Sequence, residues 1–174
     1  MFKKKQTISQ KIKQEARKNL SSNFDKKKKT YVVDTSTIVN KFLSDLVLKG
    51  LTGRIIIPNA VMAELENLAN KGKEAGFLGL DELSLLQKQK RKHPINLIFQ
   101  GSRPDDKQIK YAKSGEIDAM IRNLASKNRA TLITADLVQA KSAQAYGLKV
   151  LFLRPKIQEK KKSFFSFFRK DIPH

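Results

Sequence analysis

Four acidic side chains stand where a carboxylate could do chemistry rather than simply face solvent. Asp34 and Asp136 each close a short β-branched run, whereas Glu64 and Asp118 lie beside apolar residues in helical patterns. Carboxylates that share one cleft repel one another unless a cation neutralises them. The chain has no Cys, so oxygen ligands are expected, and oxygen ligands favour Mg²⁺ or Mn²⁺.

Each of these acids also has an ordinary structural explanation. Asp34 and Asp136 suit helix N-caps, Asp118 suits a first helical turn, and Glu64 could pair with a lysine. The four together are harder to explain in this way, and they favour a metal-binding cleft. Neither His93, which precedes a proline, nor the terminal His174 is expected to be catalytic.

The segments that carry these acids alternate between strand and helix. Strands are predicted at 30–33, 54–57, 95–99, 131–135 and 149–153. Helices are predicted after Thr35, from Asn59 to Gly72, over 80–92, around 117–124 and over 137–146. A loop is expected at Gly76 and Gly79, and a short helix is expected to begin at Pro104.

This alternation predicts an α/β fold: a three-layer α/β/α sandwich with a mostly parallel central sheet. In such a sheet Asp34 and Asp136 point to the same edge, beyond the carboxyl ends of the strands, where ligands bind. The sequence contains neither a GxxxxGK[ST] nor a GxGxxG motif, so it gives no support to nucleotide binding.

Charge divides the 174 residues into a body and two extensions. The net charge is +20, and residues 1–30 contain 11 basic and 2 acidic residues, while residues 154–174 contain 7 and 2. We expect a basic arm at 1–29, a globular domain at 30–154 and a basic aromatic tail at 155–174. Such an excess of basic residues suggests a polyanionic partner, RNA, contacted by two lysine runs. These runs are Lys26, Lys27, Lys28 and Lys29, and Lys160, Lys161 and Lys162.

Four phenylalanines in the tail alternate with cations: Phe164, Phe165, Phe167 and Phe168. They are expected first to dock on a protein partner, such as the ribosome, or on the domain itself. Stacking with RNA bases comes next, and contact with a membrane surface comes last. No stretch approaches the roughly 20 apolar residues of a membrane span, and the N-terminus lacks the apolar centre of a signal peptide, so the expected location is the cytoplasm.

Four ordered segments resemble the acidic motifs of PIN-domain ribonucleases: VDTS at 33–36, IPNAVMAELE at 57–66, GEIDA at 115–119 and LITAD at 132–136. The intervening NKGKEAGFLGL at 70–80 and GSRP at 101–104 resemble the N-terminal PIN domain of archaeal PIN–ATPase proteins that also carry a KH RNA-binding module. The resemblance covers about residues 30–154.

The resemblance implies a divalent-metal-dependent endoribonuclease in which Asp34, Glu64, Asp118 and Asp136 form the catalytic, metal-binding quartet. Ser36 and Thr134 would position a ligand or water, and Glu116 would be a supporting acid. Asn40 stands where relatives often have an acid. PIN relatives commonly assemble, so a homo-oligomer is possible, and an exposed face of Leu83, Leu85 and Leu86 would indicate a dimer.

Three other functions remain open. The chain could be the toxin of a toxin–antitoxin pair, although its basic arms count against this. It could be a non-catalytic RNA- or ribosome-associated module that keeps the PIN fold. A phosphorylatable receiver domain is the weakest alternative, because it would leave Glu64 unexplained.

Overall fold

The structure, a computed structural model, describes residues 29–105, 109 and 115–154. Within these ranges lie five strands, β1 (Thr30–Val33), β2 (Gly53–Pro58), β3 (Ile95–Gln100), β4 (Thr131–Thr134) and β5 (Val150–Phe152), and six helices, α1 (Thr35–Val39), α2 (Phe42–Leu48), α3 (Asn59–Asn70), α4 (Glu74–Gln89), α5 (Glu116–Lys127) and α6 (Leu137–Ala145). The arm before Lys29 and the tail after Arg154 lie outside the described residues, as does the short helix expected from Pro104, apart from Pro104, Asp105 and Ile109.

The strands form one parallel sheet in the order β3-β2-β1-β4-β5. The chain moves from β1 to β2 and β3 in one direction, then returns to β4 and β5 on the other side of β1. Right-handed crossovers therefore place the helices on opposite faces, which gives the expected three-layer sandwich. The reversal leaves a crevice between the carboxyl ends of β1 and β4.

The core consists of aliphatic side chains on both faces of the central strands. β2 is a continuous apolar run, and Ile55, Ile56 and Ile57 are all fully buried. Such a run is typical of a parallel strand covered on both faces. The neighbouring β1 and β4 contribute Val32 and Ile133, which are also fully buried, so the strands that lead to the acids are anchored in the core.

The helix predicted after Thr35 is in fact two helices. Lys41 adopts a left-handed conformation, with φ of 58°, and separates α1 from α2. This break exposes the N-terminus of α2 to Glu82 of α4, whose carboxylate accepts hydrogen bonds from Ser44 N at 2.7 Å and Ser44 Oγ at 2.9 Å. Glu82 is 2% exposed, so this cap also satisfies a buried carboxylate and fastens α2 to α4.

The predicted loop at Gly76 and Gly79 is wrong, because both glycines lie within α4 and pack against α3. A Cβ on Gly76 would stand 2.2 Å from Ala69 N, and one on Gly79 would stand 2.3 Å from Leu65 Cδ2. The glycines therefore allow two helices to approach more closely than any side chain would permit.

The leucines considered as a dimer face do not form one. Leu83 and Leu86 are buried in the core, at 4% and 0% exposure, and only Leu85 reaches the surface, so the conditional reason for expecting a dimer does not apply. Asparagine is a common N-cap, which predicts that Asn59 caps α3, but the cap residue is Pro58 and Asn59 is the first helical residue. Among the helices of the described ranges, none has the length and apolarity that a membrane crossing would require.

Candidate active site

The fold brings the four acids to the crevice at the carboxyl edge of the sheet. Asp34 follows β1 and caps α1, and Asp136 follows β4 and caps α6. Glu64 lies in the second turn of α3, and Asp118 lies in the first turn of α5. Because β1 and β4 are neighbours on either side of the chain reversal, their two aspartates occupy the position where parallel sheets most often bind ligands.

Asp34 is the most buried of the four acids and the most firmly held. Its side chain is 4% exposed. Oδ1 accepts a hydrogen bond from Thr35 N at 2.8 Å, and Oδ2 accepts from Ser36 Oγ at 2.6 Å and Thr134 Oγ1 at 2.7 Å. Hydroxyl and amide donors thus compensate the burial of this carboxylate without adding a positive charge.

Glu64 approaches the same crevice from the opposite helix. Its Oε2 accepts a hydrogen bond from Thr35 Oγ1 at 2.6 Å, so Thr35 links the Glu64 carboxylate to the chain beside Asp34. Burial is the main cause that raises the pKa of Glu64; the Thr35 hydrogen bond lowers it, and the negative charges of Asp34 and Asp118 add to the increase. The ionised form of Glu64 is therefore disfavoured at this position.

Asp118 is subject to the same crowding. Burial is the main cause that raises its pKa, followed by the charges of Asp34 and Asp136, while Arg122 lowers it. The charge of Asp34 thus contributes to the raised pKa values of both Glu64 and Asp118, while Asp118 contributes to that of Glu64 and Asp136 to that of Asp118. The four carboxylates form one coupled electrostatic group.

Asp136 is the exposed member of the group. Its Oδ1 accepts a hydrogen bond from Gln139 N at 3.0 Å, which is the interaction expected of an N-cap aspartate. Its own N–H donates to Thr134 Oγ1 at 3.0 Å. The second carboxylate oxygen of Asp136 is therefore available at the solvent side of the crevice, where a ligand would enter.

Gln139, which links two of the acids, was not predicted from the sequence. This side chain is fully buried. Its Nε2 donates to Asp118 O at 3.1 Å, and its Oε1 accepts from Arg122 Nη1 at 2.5 Å. Together with the bond from its N–H to Asp136, these contacts fix the start of α6 against α5. The local signal was the Asp-x-x-Gln spacing of a capping box at 136–139.

The remaining predicted site residues divide into two pairs. Ser36 and Thr134 contact Asp34 directly, and Ser36 Oγ also accepts a hydrogen bond from Ala135 N at 2.9 Å, which ties α1 to the end of β4. Asn40 is exposed and uses its Nδ2 to cap its own helix at Ser36 O, 2.7 Å away. Glu116 is exposed at the start of α5. The structure therefore brings the first pair to the acids but not Asn40, and it leaves Glu116 at the margin.

The donor set fits a hard cation chemically but does not form a finished coordination shell. All four groups offer carboxylate oxygens, and their mutual repulsion is what a divalent cation would relieve. In residues 29–105, 109 and 115–154, no group of three or more His, Cys, Asp or Glu side chains is arranged to hold a metal ion. None of the ion pairs found in these ranges involves the four acids. The crevice therefore carries negative charge that the described part of the protein does not neutralise by pairing.

Comparison with known proteins agrees with this architecture. The chain is 39% identical over 133 residues to an uncharacterized KH and PIN-domain containing protein of Methanocaldococcus jannaschii, and 28% identical over 125 residues to an uncharacterized PIN and TRAM-domain containing protein of Synechocystis. These alignments cover 75% and 69% of the chain but only 21% and 32% of the two relatives. The chain therefore spans about a fifth of the first and a third of the second.

A solved structure gives the same result. It is described as a domain of a functionally unknown protein from Methanocaldococcus jannaschii, and it superposes with a TM-score of 0.70 at 39% identity, covering 75% of the chain and 95% of the solved domain. The profile of the PIN domain family matches residues 31–151, a range that includes all four acids of the crevice. On sequence, fold and extent of the match, the chain belongs to the PIN domain family.

Proposed function

We propose that the chain is a divalent-metal-dependent endoribonuclease that hydrolyses RNA phosphodiester bonds with Asp34, Glu64, Asp118 and Asp136. The observation that carries this proposal is the electrostatic coupling of the four carboxylates. Burial and neighbouring negative charges raise the pKa of both Glu64 and Asp118, at the edge of the sheet where ligands bind.

A bound Mg²⁺ or Mn²⁺ would supply Lewis-acid polarisation of the scissile phosphate and would lower the pKa of an attacking water. Asp34 would hold the cation most firmly, because three hydrogen bonds already fix its orientation. Glu64 and Asp118 would complete the ligand set from the two flanking helices, and Asp136 from the solvent side. A divalent cation would also remove the repulsion that raises the pKa values of Glu64 and Asp118.

Other residues of the crevice would position the reacting groups. Ser36 and Thr134 hold the Asp34 carboxylate, and Thr35 holds that of Glu64. Gln139 keeps Asp118 and Asp136 in register, so it is a positioning residue. Glu116, at the exposed start of α5, would act as a supporting acid through water.

RNA is the proposed substrate for two reasons. The chain carries a net charge of +20, so it attracts polyanions despite the acidic crevice. A relative at 39% identity combines the PIN domain with a KH module, and KH modules are RNA-binding domains. The lysines at 26–29 and 160–162 would then contact RNA phosphates, and the protein would act in the cytoplasm.

The test is cleavage of a labelled mixed-sequence RNA by the full chain in Mn²⁺, in Mg²⁺ and in EDTA. The variants are Asp34→Asn, which keeps the shape of the side chain, and the matched control Asp81→Asn, which alters an exposed aspartate on α4. We expect metal-dependent cleavage by the wild type and the control, and a loss of at least 100-fold in Asp34→Asn, the scale of losing a group that stabilises the transition state.

Three results would contradict the proposal. Cleavage that persists in EDTA, or that is equal in wild type and Asp34→Asn, would exclude this site as its source. Salt-sensitive RNA binding by both proteins without cleavage would instead indicate the non-catalytic RNA-binding module. Retention of a small protein partner through purification would point to the toxin of a toxin–antitoxin pair.

A further inference from the structure

A groove between α5 and the end of α6 opens next to the acidic crevice. It has a volume of about 270 Å³, is partly open to solvent, and has a lining that is both polar and apolar. We call it the Tyr146 groove, and its residues are Ala119, Arg122, Asn123, Ser126, Tyr146 and Leu148. Because Ala119 directly follows Asp118 in the sequence, the groove begins beside one of the four acids.

Tyr146 presents an aromatic ring to solvent at one side of this groove. At 76% exposure it is the most exposed large hydrophobic side chain among the described residues. The Arg122 guanidinium lies over the ring, 5.7 Å from its centroid, which is the geometry of a cation–π contact. This contact orients the ring, and the large exposed fraction leaves most of its surface accessible. An exposed, oriented aromatic ring can stack with a nucleic-acid base.

Arg122 connects this ring to the acidic group. It lies one helical turn after Asp118 and lowers the pKa of that carboxyl, yet no ion pair joins it to any of the four acids in the described part of the chain. Instead its Nη1 donates to Gln139 Oε1 at 2.5 Å. A guanidinium carries several more N–H donors, and these have no hydrogen-bond acceptor among the described residues. Such a group is suited to a phosphate.

The groove therefore offers a partner for each part of a nucleotide. Arg122 would contact the phosphate, and the Tyr146 ring would contact the base. Tyr146 lies seven residues after Gln139, about 10 Å along α6, so the groove leads away from the acids along the surface between two helices. A nucleic-acid strand that passes the acids would enter it. The net charge of +20 also favours such a polyanion over a protein ligand.

We propose that the Tyr146 groove binds one nucleotide of single-stranded RNA beside the cleaved phosphate, with its base stacked on Tyr146 and its phosphate held by Arg122. The inference rests on the proposed function, because it assumes that RNA occupies the acidic crevice. It adds a preference for single strands, since the bases of a duplex are already stacked and paired and cannot reach the ring.

The first test measures binding of a short labelled single-stranded RNA, and of the matched duplex, in EDTA. The variants are Tyr146→Ala, which removes the ring, and Tyr146→Phe, which keeps it. Phe77→Ala is the matched control, because Phe77 is also an exposed aromatic residue but lies on α4, outside the groove. Thermal denaturation establishes that each protein is folded.

We expect Tyr146→Ala to bind the single strand at least about fivefold more weakly than wild type, which is the lower end of the loss when a base loses its aromatic partner. Its affinity for the duplex should not change, and Tyr146→Phe and Phe77→Ala should bind both RNAs like wild type. An unchanged affinity of Tyr146→Ala for the single strand would overturn the inference, as would an equal loss with the duplex. A change in oligomeric state without a change in RNA binding would assign the ring to a protein interface instead.

The phosphate contact is tested by the salt dependence of single-strand binding. Arg122→Gln should reduce the slope of log affinity against log salt concentration by about 0.7, the value for one phosphate of a single strand. Tyr146→Ala should leave this slope unchanged, because stacking releases no counterion. An unchanged slope in Arg122→Gln would refute the phosphate contact.

Tryptophan fluorescence reports stacking directly, because the chain contains no tryptophan. Tyr146→Trp places this probe in the groove, and Phe77→Trp places it at the control position on α4. Single-stranded RNA added in EDTA should quench the fluorescence of the first variant and not that of the second. Equal quenching in the two variants would contradict stacking in the groove.

Cleavage of the single strand in Mn²⁺ separates this inference from the proposed function. If the wild type cuts and RNA quenches the probe at position 146, both proposals are supported. Cleavage without quenching would refute the groove and leave the nuclease. Quenching without cleavage would refute the nuclease and leave the groove as a binding site for single-stranded RNA.

Discussion

Replacing Thr134 by valine tests whether hydroxyl donors hold the Asp34 carboxylate in place. Thr134 is fully buried, and its Oγ1 donates to Asp34 Oδ2 at 2.7 Å while accepting from Asp136 N at 3.0 Å. Valine has nearly the same shape, so Thr134→Val removes these bonds without leaving a cavity. Thr37 provides the matched control, because it is equally buried but donates to a neutral acceptor, Ile133 O, at 2.9 Å.

The two substitutions should lower the stability by different amounts, because the acceptor of the Thr134 hydroxyl is charged and that of the Thr37 hydroxyl is neutral. A hydrogen bond to a charged group contributes about 1.5–3 kcal/mol, against about 0.5–1.5 kcal/mol for a neutral pair. We expect Thr134→Val to lower the free energy of unfolding by about 2–3 kcal/mol and Thr37→Val by about 1 kcal/mol. At about 3 °C per kcal/mol for a chain of this size, Tm should fall by about 6–9 °C and about 3 °C respectively.

The assay is thermal denaturation at pH 7 in EDTA, with urea denaturation as the second measure of stability, followed by RNA cleavage in Mn²⁺. Thr134→Val should also lose cleavage at temperatures where it is folded, whereas Thr37→Val should retain it. Equal losses of stability in the two variants would refute the reasoning, since they would mean that Asp34 does not depend on the Thr134 hydroxyl. Ser36, which also donates to Asp34 Oδ2, would then be sufficient.

Two further predictions concern the destabilisation that results from burying several carboxylates close together. The folded protein raises the pKa values of Glu64 and Asp118 above their ordinary values of 4.5 and 3.8. Their protonated forms therefore favour folding at a pH below the ordinary values, and this stabilisation is lost as the pH rises through the raised pKa values and the two groups ionise. Glu64→Gln and Asp118→Asn should therefore raise the Tm of the metal-free protein at pH 7 and flatten its decline above pH 4; a lower Tm in both variants would contradict this. Mn²⁺ should raise the Tm of the wild type at pH 7, because a ligand at 100 times its dissociation constant stabilises the folded state by about 2.7 kcal/mol. The increase in Tm should become smaller toward pH 4, where protons compete with Mn²⁺ for the carboxylates. An increase in Tm that is independent of pH, or that survives in Asp34→Asn, would place the bound ion elsewhere.

The sequence was sufficient to predict the α/β sandwich and the edge of the sheet where Asp34 and Asp136 lie. Strand and helix patterns are local, and parallel strands always bring their carboxyl ends together. The order of the strands is not local. That β1 and β4 are neighbours, which makes the gap between the two aspartates a crevice, depends on pairing across about 100 residues.

The errors came from residues whose conformation is set by tertiary packing. Gly76 and Gly79 have the composition of a loop, but they lie in a helix because α3 must approach α4 closely. Lys41 interrupts the helix in a left-handed conformation that lysine rarely adopts, and no local sequence pattern predicts this break. In both cases contacts far along the chain override the local preference.

The type of hydrogen-bond donor that compensates the buried carboxylates bears on function. The chain has 36 lysines and arginines, yet the hydrogen bonds that hold Asp34 and Glu64 come from Thr35, Ser36 and Thr134. Ion pairs would have compensated the buried carboxylates and cancelled their charge, whereas hydroxyls and amides orient the oxygens and leave the charge in place. A site selected only for stability gains nothing from charge left uncancelled, because that charge raises the pKa of its own members. A site that must attract a divalent cation next to a polyanionic substrate needs the charge to remain.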